Sequence, residues 1–231
     1  MKIYYMISYP NFDALVENKL NHNLPNYLAN HPSLPKNPFR MCLIGASASG
    51  KGNLLLNMLT NLLDYDNLFM ISETDDGINE YIKNLANENS CFHFYSDVNE
   101  FDLKQLNPTK TNLIVFDDIC HNSKAQDMIS SCFSLGRHHG ASIIYLSQSF
   151  FKLPVFIRNN STYFCIFRLG MDSEINKIHD RLASDVSREK FKQMYQAAVK
   201  LQPYGFIFIN LLGSDPKEKY KNRFEQHFDF L

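Results

Sequence analysis

Gly45-Ala46-Ser47-Ala48-Ser49-Gly50-Lys51 fits the spacing G-x-x-x-x-G-K. In that pattern a loop of backbone N–H groups wraps an anion and a lysine neutralises it. The glycines let the chain curl so that successive N–H groups converge, and a helix opening near Lys51 adds the positive end of its dipole. The chemistry served is binding of the β- and γ-phosphates of a nucleoside triphosphate, ATP for example. A Gly/Ser-rich turn capping a helix is the plainer reading of the glycines, and the lysine argues against it. Such loops continue with Ser or Thr, whose hydroxyl ligates Mg²⁺. Here Gly52 and then Asn53 follow. Glycine brings no ligand, so a water, Asn53 or Ser49 has to supply one. Where nothing does, the loss matches a charge-assisted hydrogen bond, about 1.5–3 kcal/mol of metal–nucleotide affinity. Phosphate binding should survive; turnover is the step at stake.

Further along, Leu113-Ile-Val-Phe116 runs into Asp117 and Asp118. An acid ending a strand beside a phosphate loop holds Mg²⁺ directly or through water, which suits Asp117. Asp118 is placed to orient and deprotonate the attacking water, the work of a general base. Alone, the pair reads as a turn ending a strand; with the phosphate loop, the catalytic reading is preferred. Gln148 closes the run SIIYLSQ, where a strand-end amide can report on the γ-phosphate. Between Asp127 and Asp172 the chain has no acid but contains Arg137, His138, His139, Lys152, Arg158 and Arg168. A surface of one sign suits a polyanion or a neighbouring subunit's nucleotide. Arg137 and Arg158 are the candidates for an arginine supplied in trans, unless acids elsewhere in the fold pair with them.

These residues need elements to carry them. FRMCLIG before the loop reads as a buried strand, and Leu55, Met58, Leu59 and Leu62 beyond it form a helical stripe. Asn67–Ser72, Cys91–Tyr95, Asn112–Asp118, Ser142–Gln148, Tyr163–Arg168 and Gly205–Asn210 are further apolar runs. Helical stretches separate most of them, among them 77–87, 123–136 and 187–200. Nearly continuous apolar strands alternating with helices predict an α/β domain with a mainly parallel sheet covered on both faces. Pro10, Pro25, Pro32, Pro35 and Pro38 make residues 1–38 an extended arm, with one short helix near 12–20. Residues 39–231 then form a single domain with a helical and strand extension from about 170.

The chain has 231 residues, 45% of them hydrophobic and 20% charged, with net charge −1. It is long enough to bury about 70% of its unfolded surface without disulfides or structural metal. The charge excludes a histone-like DNA binder and leaves room for a local basic surface. No apolar run approaches the ~20 residues of a membrane span, and the first residues do not pattern as a signal peptide. Cys42, Cys91, Cys120, Cys132 and Cys165 are odd in number and scattered, as expected for core thiols in a reducing, intracellular compartment.

Gly45 to Asn53, Phe116-Asp117-Asp118, Gly136-Arg137-His138, Leu146-Ser147-Gln148 and Ile157-Arg158-Asn159-Asn160 together resemble the poxvirus-type DNA-packaging ATPases of large DNA viruses and virophages. These belong to the FtsK–HerA superfamily of ring translocases. The similarity is most specific from about Phe39 to Arg168. It implies a RecA-like P-loop core and ATP hydrolysis with Mg²⁺ that translocates double-stranded DNA. It also implies a homo-oligomeric ring, a viral capsid vertex protein as partner, and work in the host cytoplasm, the viral factory or the virion. By match of motif, Lys51 binds phosphate, Asp117 binds Mg²⁺, Asp118 is the catalytic acid and Gln148 the sensor. The related HerA-type loops read G-K-S-N, so Gly52 stands where their serine does.

Two other functions compete. A nucleotide-binding oligomeric module with little or no hydrolysis is motivated by Gly52. A small-molecule kinase also uses a phosphate loop, but it needs an arginine-bearing lid, and Asp117, Asp118 and Gln148 argue against it.

Overall fold

Strands buried on both faces must be apolar at every position, and six runs of this chain pair side by side on that basis. The computed structural model describes residues 27–73, 82, 91–117, 119, 123–200 and 204–229. Its strands are β1 (Arg40–Ile44), β2 (Asn67–Ser72), β3 (Cys91–Tyr95), β4 (Asn112–Asp117), β5 (Ala141–Ser147), β6 (Tyr163–Ile166), β7 (Ile207–Asn210) and β8 (Tyr220–Asn222). They form one eight-stranded sheet in the order β3-β2-β4-β5-β1-β6-β7-β8. Pairing is parallel from β3 through β6 and antiparallel across β6, β7 and β8. The fold is α/β, as the sequence predicts.

Alternate residues of each strand feed two cores. Cys42, Ile44, Ile114, Phe116, Ile143 and Tyr145 face one side, and Met41, Leu43, Leu113, Val115, Ile144 and Leu146 the other. The first side is covered by α2 (Ser123–Leu135), α3 (Val155–Asn160), α4 (Asp172–Leu182) and α5 (Arg188–Lys200), whereas α1 (Lys51–Asn57) packs on the second. In α5 the buried residues Phe191, Met194, Tyr195 and Ala198 repeat at helical spacing. A short α6 (Pro216–Lys219) leads into β8. Among the described residues no helix is long and apolar enough to cross a membrane.

Several expected boundaries shift. After α1 the chain widens into a π-helical stretch, Met58–Leu62, closed by Leu63 N–H donating to the Met58 carbonyl at 2.8 Å. The wider turn rotates the stripe, so Leu54, Leu55, Met58 and Leu59 are buried and Leu62 is half-buried. Strand β6 ends at Ile166 rather than Arg168, because the Arg168 carbonyl turns to accept from Ala46 N–H at 2.9 Å. Lys217, Lys219, Lys221 and Arg223, which by sequence read as one solvated helix face, do not share one. Lys217 and Lys219 sit on α6, Lys221 on β8 and Arg223 in the following turn, and Lys219 pairs with Asp185. The expected helices near 12–20 and 77–87 lie outside the described residues, apart from residue 82. From Tyr27 the arm has neither helix nor strand; it is pinned by Leu28 N–H donating to Thr111 Oγ1 at 2.7 Å and by the buried Leu34.

Cys42, Cys132 and Cys165 are buried thiols, while Cys91 on the edge strand β3 is exposed, so it is not a core residue; Cys120 lies outside the described residues. Burial pushes the Cys42 and Cys132 thiols up to about 12 and raises Cys165 well above its ordinary value. A raised pKa leaves almost no thiolate at neutral pH, and thiolate is the reactive form. Alkylation of the native protein at pH 8, mapped by peptide mass, should therefore label Cys91 and leave Cys42, Cys132 and Cys165 unmodified until the chain is unfolded.

Candidate functional site: a phosphate loop at the carboxyl edge of the sheet

The loop between β1 and α1 is held by main-chain hydrogen bonds. Gly45 N–H donates to the Ser147 carbonyl at 3.1 Å, Ala46 N–H to the Arg168 carbonyl, and Phe167 N–H to the Ile44 carbonyl at 2.8 Å. The ends of β5 and β6 thus grip its first turn from both sides. A Cβ on Gly45 would lie 2.5 Å from Phe167 Cβ and from Ser49 Oγ, so this close approach requires glycine. Ala48 has φ 57° and Gly50 φ 110°, left-handed positions at which the loop turns sharply. Ser47 and Ala48 form the exposed tip.

Helix α1 starts at Lys51 with no side-chain cap and no acid in its first turn. Its first N–H groups are therefore directed at an anion without competition from a carboxylate. Lys51 Nζ donates to the Gly45 and Ala46 carbonyls at 2.6 and 3.1 Å, which holds the ammonium across the loop.

The parallel register brings further candidates to the same edge. Asp117 ends β4 in register with Ser72 of β2 and Leu146 of β5, and Ser147 is in register with Ile44 of β1. Strand β5 thus lies between the loop strand and the acid strand, with Gln148 just beyond its end and exposed. Two inter-strand spacings, about 10 Å, separate β4 from β1. That is room for phosphates and a hydrated cation. Asp118 lies outside the described residues.

Ser49, one of the residues considered to replace the missing metal ligand, does not fit. Its Oγ is buried, finds no hydrogen-bond partner, and points back towards Gly45 beneath the loop. Asn53 is exposed in the first turn of α1. Asp117 is the described residue that would hold a Mg²⁺ ion, one that would keep much of its water.

Neither arginine candidate reaches its own loop. Arg137 sits in the short 3₁₀ turn Gly136–His139 that precedes β5, at the opposite edge of the sheet, near Arg40, whose pKa is lowered by its own burial and after that by the Arg137 charge. Arg158 lies on α3, on the helical face away from α1. Its guanidinium is 5.1 Å from the Phe150 ring centroid and its Nε is buried without a partner. Burial, and after it the charge of Arg181, pull the Arg158 pKa down.

Sequence reasoning missed two residues here. Glu174, 2% exposed, accepts a short hydrogen bond from Ser149 Oγ and a longer one from Phe151 N–H at 3.4 Å. It anchors the loop that carries Gln148. In sequence it is an ordinary acid in a helix's first turn. Tyr204 covers Gly50: a Cβ there would meet Tyr204 Cβ at 2.6 Å. Its only sequence signal is the Pro203-Tyr204-Gly205 turn.

The Poxvirus A32 protein family matches residues 28–202, a span that runs from the arm through the loop and β4 to the end of α5. The chain belongs to the Poxvirus A32 protein family. Among its relatives it is 25% identical over 189 residues to the DNA packaging protein OPG160 of Monkeypox virus, which covers 76% of this chain and 63% of that protein. It is 28% identical over 159 residues to the protein of the same description from Vaccinia virus (strain Copenhagen), covering 63% and 59%. The A32-family chain described here thus spans about three fifths of the length of these relatives. Its fold is shared with the genome packaging NTPase B204 of Sulfolobus turreted icosahedral virus 2 in complex with ATP-gammaS. That match has a TM-score of 0.54 at 17% identity and covers 84% of this chain and 98% of that one. Strands β7 and β8 fall beyond the family span.

Replacing Glu174 by Ala leaves the Ser149 hydroxyl and Phe151 N–H without their acceptor, at about 1–3 kcal/mol of unfolding free energy. Urea denaturation should show that loss. Hydrogen exchange of the 148–151 amides should quicken, while amides of β1 keep their protection.

Proposed function

We propose that this chain is a viral genome-packaging ATPase that hydrolyses ATP to drive double-stranded DNA into a capsid. The observation that carries the reading is the convergence, on one sheet edge, of the phosphate loop, Asp117 and Gln148, with β5 between the loop strand and the acid strand. Membership of the A32 family and relatives described as DNA packaging proteins supply the biological direction. The B204 structures in complex with AMP, AMPPCP and ATP-gammaS support a nucleotide at this loop.

In this reading Lys51 and the N–H groups of Gly45 to Asn53 bind the phosphates. Asp117 would hold Mg²⁺, which would supply positive charge to the phosphates. Asp118 takes the proton of the attacking water, and Gln148 reports loss of the γ-phosphate along β5. Arg137 and Arg158 act on a neighbour's nucleotide in a homo-oligomeric ring that docks on a capsid vertex protein in the viral factory. Phe151, Val155 and Phe156 are exposed near Arg158, an apolar surface that a ring would bury. The acid-free stretch between Asp127 and Asp172 supplies positive charge for a polyanion.

Gly52 favours a second reading, a module that binds ATP and assembles but turns over little. With Ser49 turned beneath the loop, only water or Asn53 remains to stand in for the absent hydroxyl.

Phosphate release from ATP with Mg²⁺, with and without double-stranded DNA, separates the two. The packaging motor predicts DNA-stimulated release that Lys51→Ala abolishes and Asp117→Asn lowers by a hundredfold or more. Gly52→Ser should raise the rate or tighten Mg²⁺ about tenfold, as one charge-assisted hydrogen bond would. A silent parent whose Gly52→Ser variant is active establishes the module, and silence in both with intact ATP binding removes the motor reading.

A further inference from the structure

A cleft of about 390 Å³ opens beside the phosphate loop, between α1, the arm residues His31 to Leu34 and the tail after Tyr204. That volume lies in the range of small-molecule sites, about 300–1,000 Å³. Its position follows from the strand order. Asp117 and Gln148 lie on the β4–β5 side of β1, whereas this cleft is lined by Phe206, just before β7, and Asn222 of β8, on the β6–β7–β8 side. A triphosphate with its reacting end towards Asp117 and Gln148 therefore sends its other end towards the cleft. Asn53, in the first turn of α1, stands at the junction, and Asn57 follows one turn along the same wall.

The lining has the chemistry of a heterocycle site. Leu54, Phe206 and Phe224 are buried apolar residues at its base. Tyr204 is 56% exposed as a residue and has its Cβ and ring carbons packed against Gly50. Arg223 also lines the cleft, and a guanidinium is a planar group that stacks on π-systems. Both residues hold left-handed backbone, with φ 57° and 56°. For a non-glycine residue that conformation is uncommon and costs free energy. Arg223 is kept there by its N–H donating to the Phe206 carbonyl at 3.0 Å. The Asn53 and Asn57 amides offer donors and acceptors to a base edge or ribose hydroxyl.

We infer that this cleft binds the nucleoside of the triphosphate, a purine with its ring against Tyr204 and Arg223, so that the arm and tail set nucleotide selectivity. The inference rests on the phosphate loop binding a nucleoside triphosphate, and it assigns a role to strand β8 and the turn after it, which lie beyond the A32-family span.

Calorimetric titration of the full chain with ATP, CTP and inorganic tripolyphosphate tests it, because tripolyphosphate engages the loop alone. The parent should bind ATP several-fold more tightly than CTP. Tyr204→Ala and Arg223→Ala should each weaken ATP about tenfold while tripolyphosphate affinity stays unchanged, and Tyr204→Phe should retain ATP. Lys51→Ala should weaken both ligands. Unchanged ATP affinity in both alanine variants overturns the cleft and leaves the phosphate loop standing. Equal weakening of ATP and tripolyphosphate in Tyr204→Ala also overturns it, since the ring then only props Gly50. A parent that binds neither ligand removes the phosphate-loop reading and the cleft with it.

Discussion

The main-chain grip of β5 and β6 on Gly45 and Ala46 is the constraint on which the rest of the site depends. Buried amides must find acceptors, and here the Ser147 and Arg168 carbonyls take them. Because those acceptors are the last residue of β5 and the second beyond β6, the loop cannot move without moving the strand ends. The same strand end carries Gln148, and Glu174 braces the residues after it. A change at the loop therefore has a short, hydrogen-bonded route into β5 and across to α4.

The metal side of the site is where this chain differs from the loops it resembles. Gly52 removes a hydroxyl, and Ser49, the nearest replacement in sequence, is folded under the loop with its own hydroxyl unsatisfied. An unpaired buried hydroxyl costs about 1–3 kcal/mol. Its closeness to Gly45 shows what is obtained in return: the loop packs so tightly over Phe167 that no side chain fits at position 45. The cradle is thus rigid where it contacts the sheet. Asn53, exposed in the first turn of α1, is the side chain of the loop that is left as a candidate.

The arginines and the tail extend the site away from the loop. Arg158 and Arg181 share a cleft of about 310 Å³ on the helical face, where burial and then the Arg181 charge lower the Arg158 pKa. On the other flank, β7 and β8 add antiparallel strands to the sheet and swing Tyr204 and Arg223 against α1. The two flanks bracket the carboxyl edge where phosphate chemistry is proposed.

The local chemistry was legible in the chain itself. The G-x-x-x-x-G-K spacing, the apolar run into Asp117 and the strand–helix alternation depend on short-range pattern and on strands buried on both faces, so β2 and β3 fall at their expected residues and α2 and α5 within one of theirs. Strand order was not legible, because pairing between β1, β5 and β4 joins segments far apart in sequence and is chosen by packing. Only the folded sheet places β5 between Asp117 and the loop, sends Arg137 to the far edge, buries Ser49 Oγ away from the metal position and brings Tyr204 onto Gly50. Sequence determined which groups are available to phosphate. Tertiary structure decided which of them meet, since a side chain's direction is set by neighbours that no local spacing encodes.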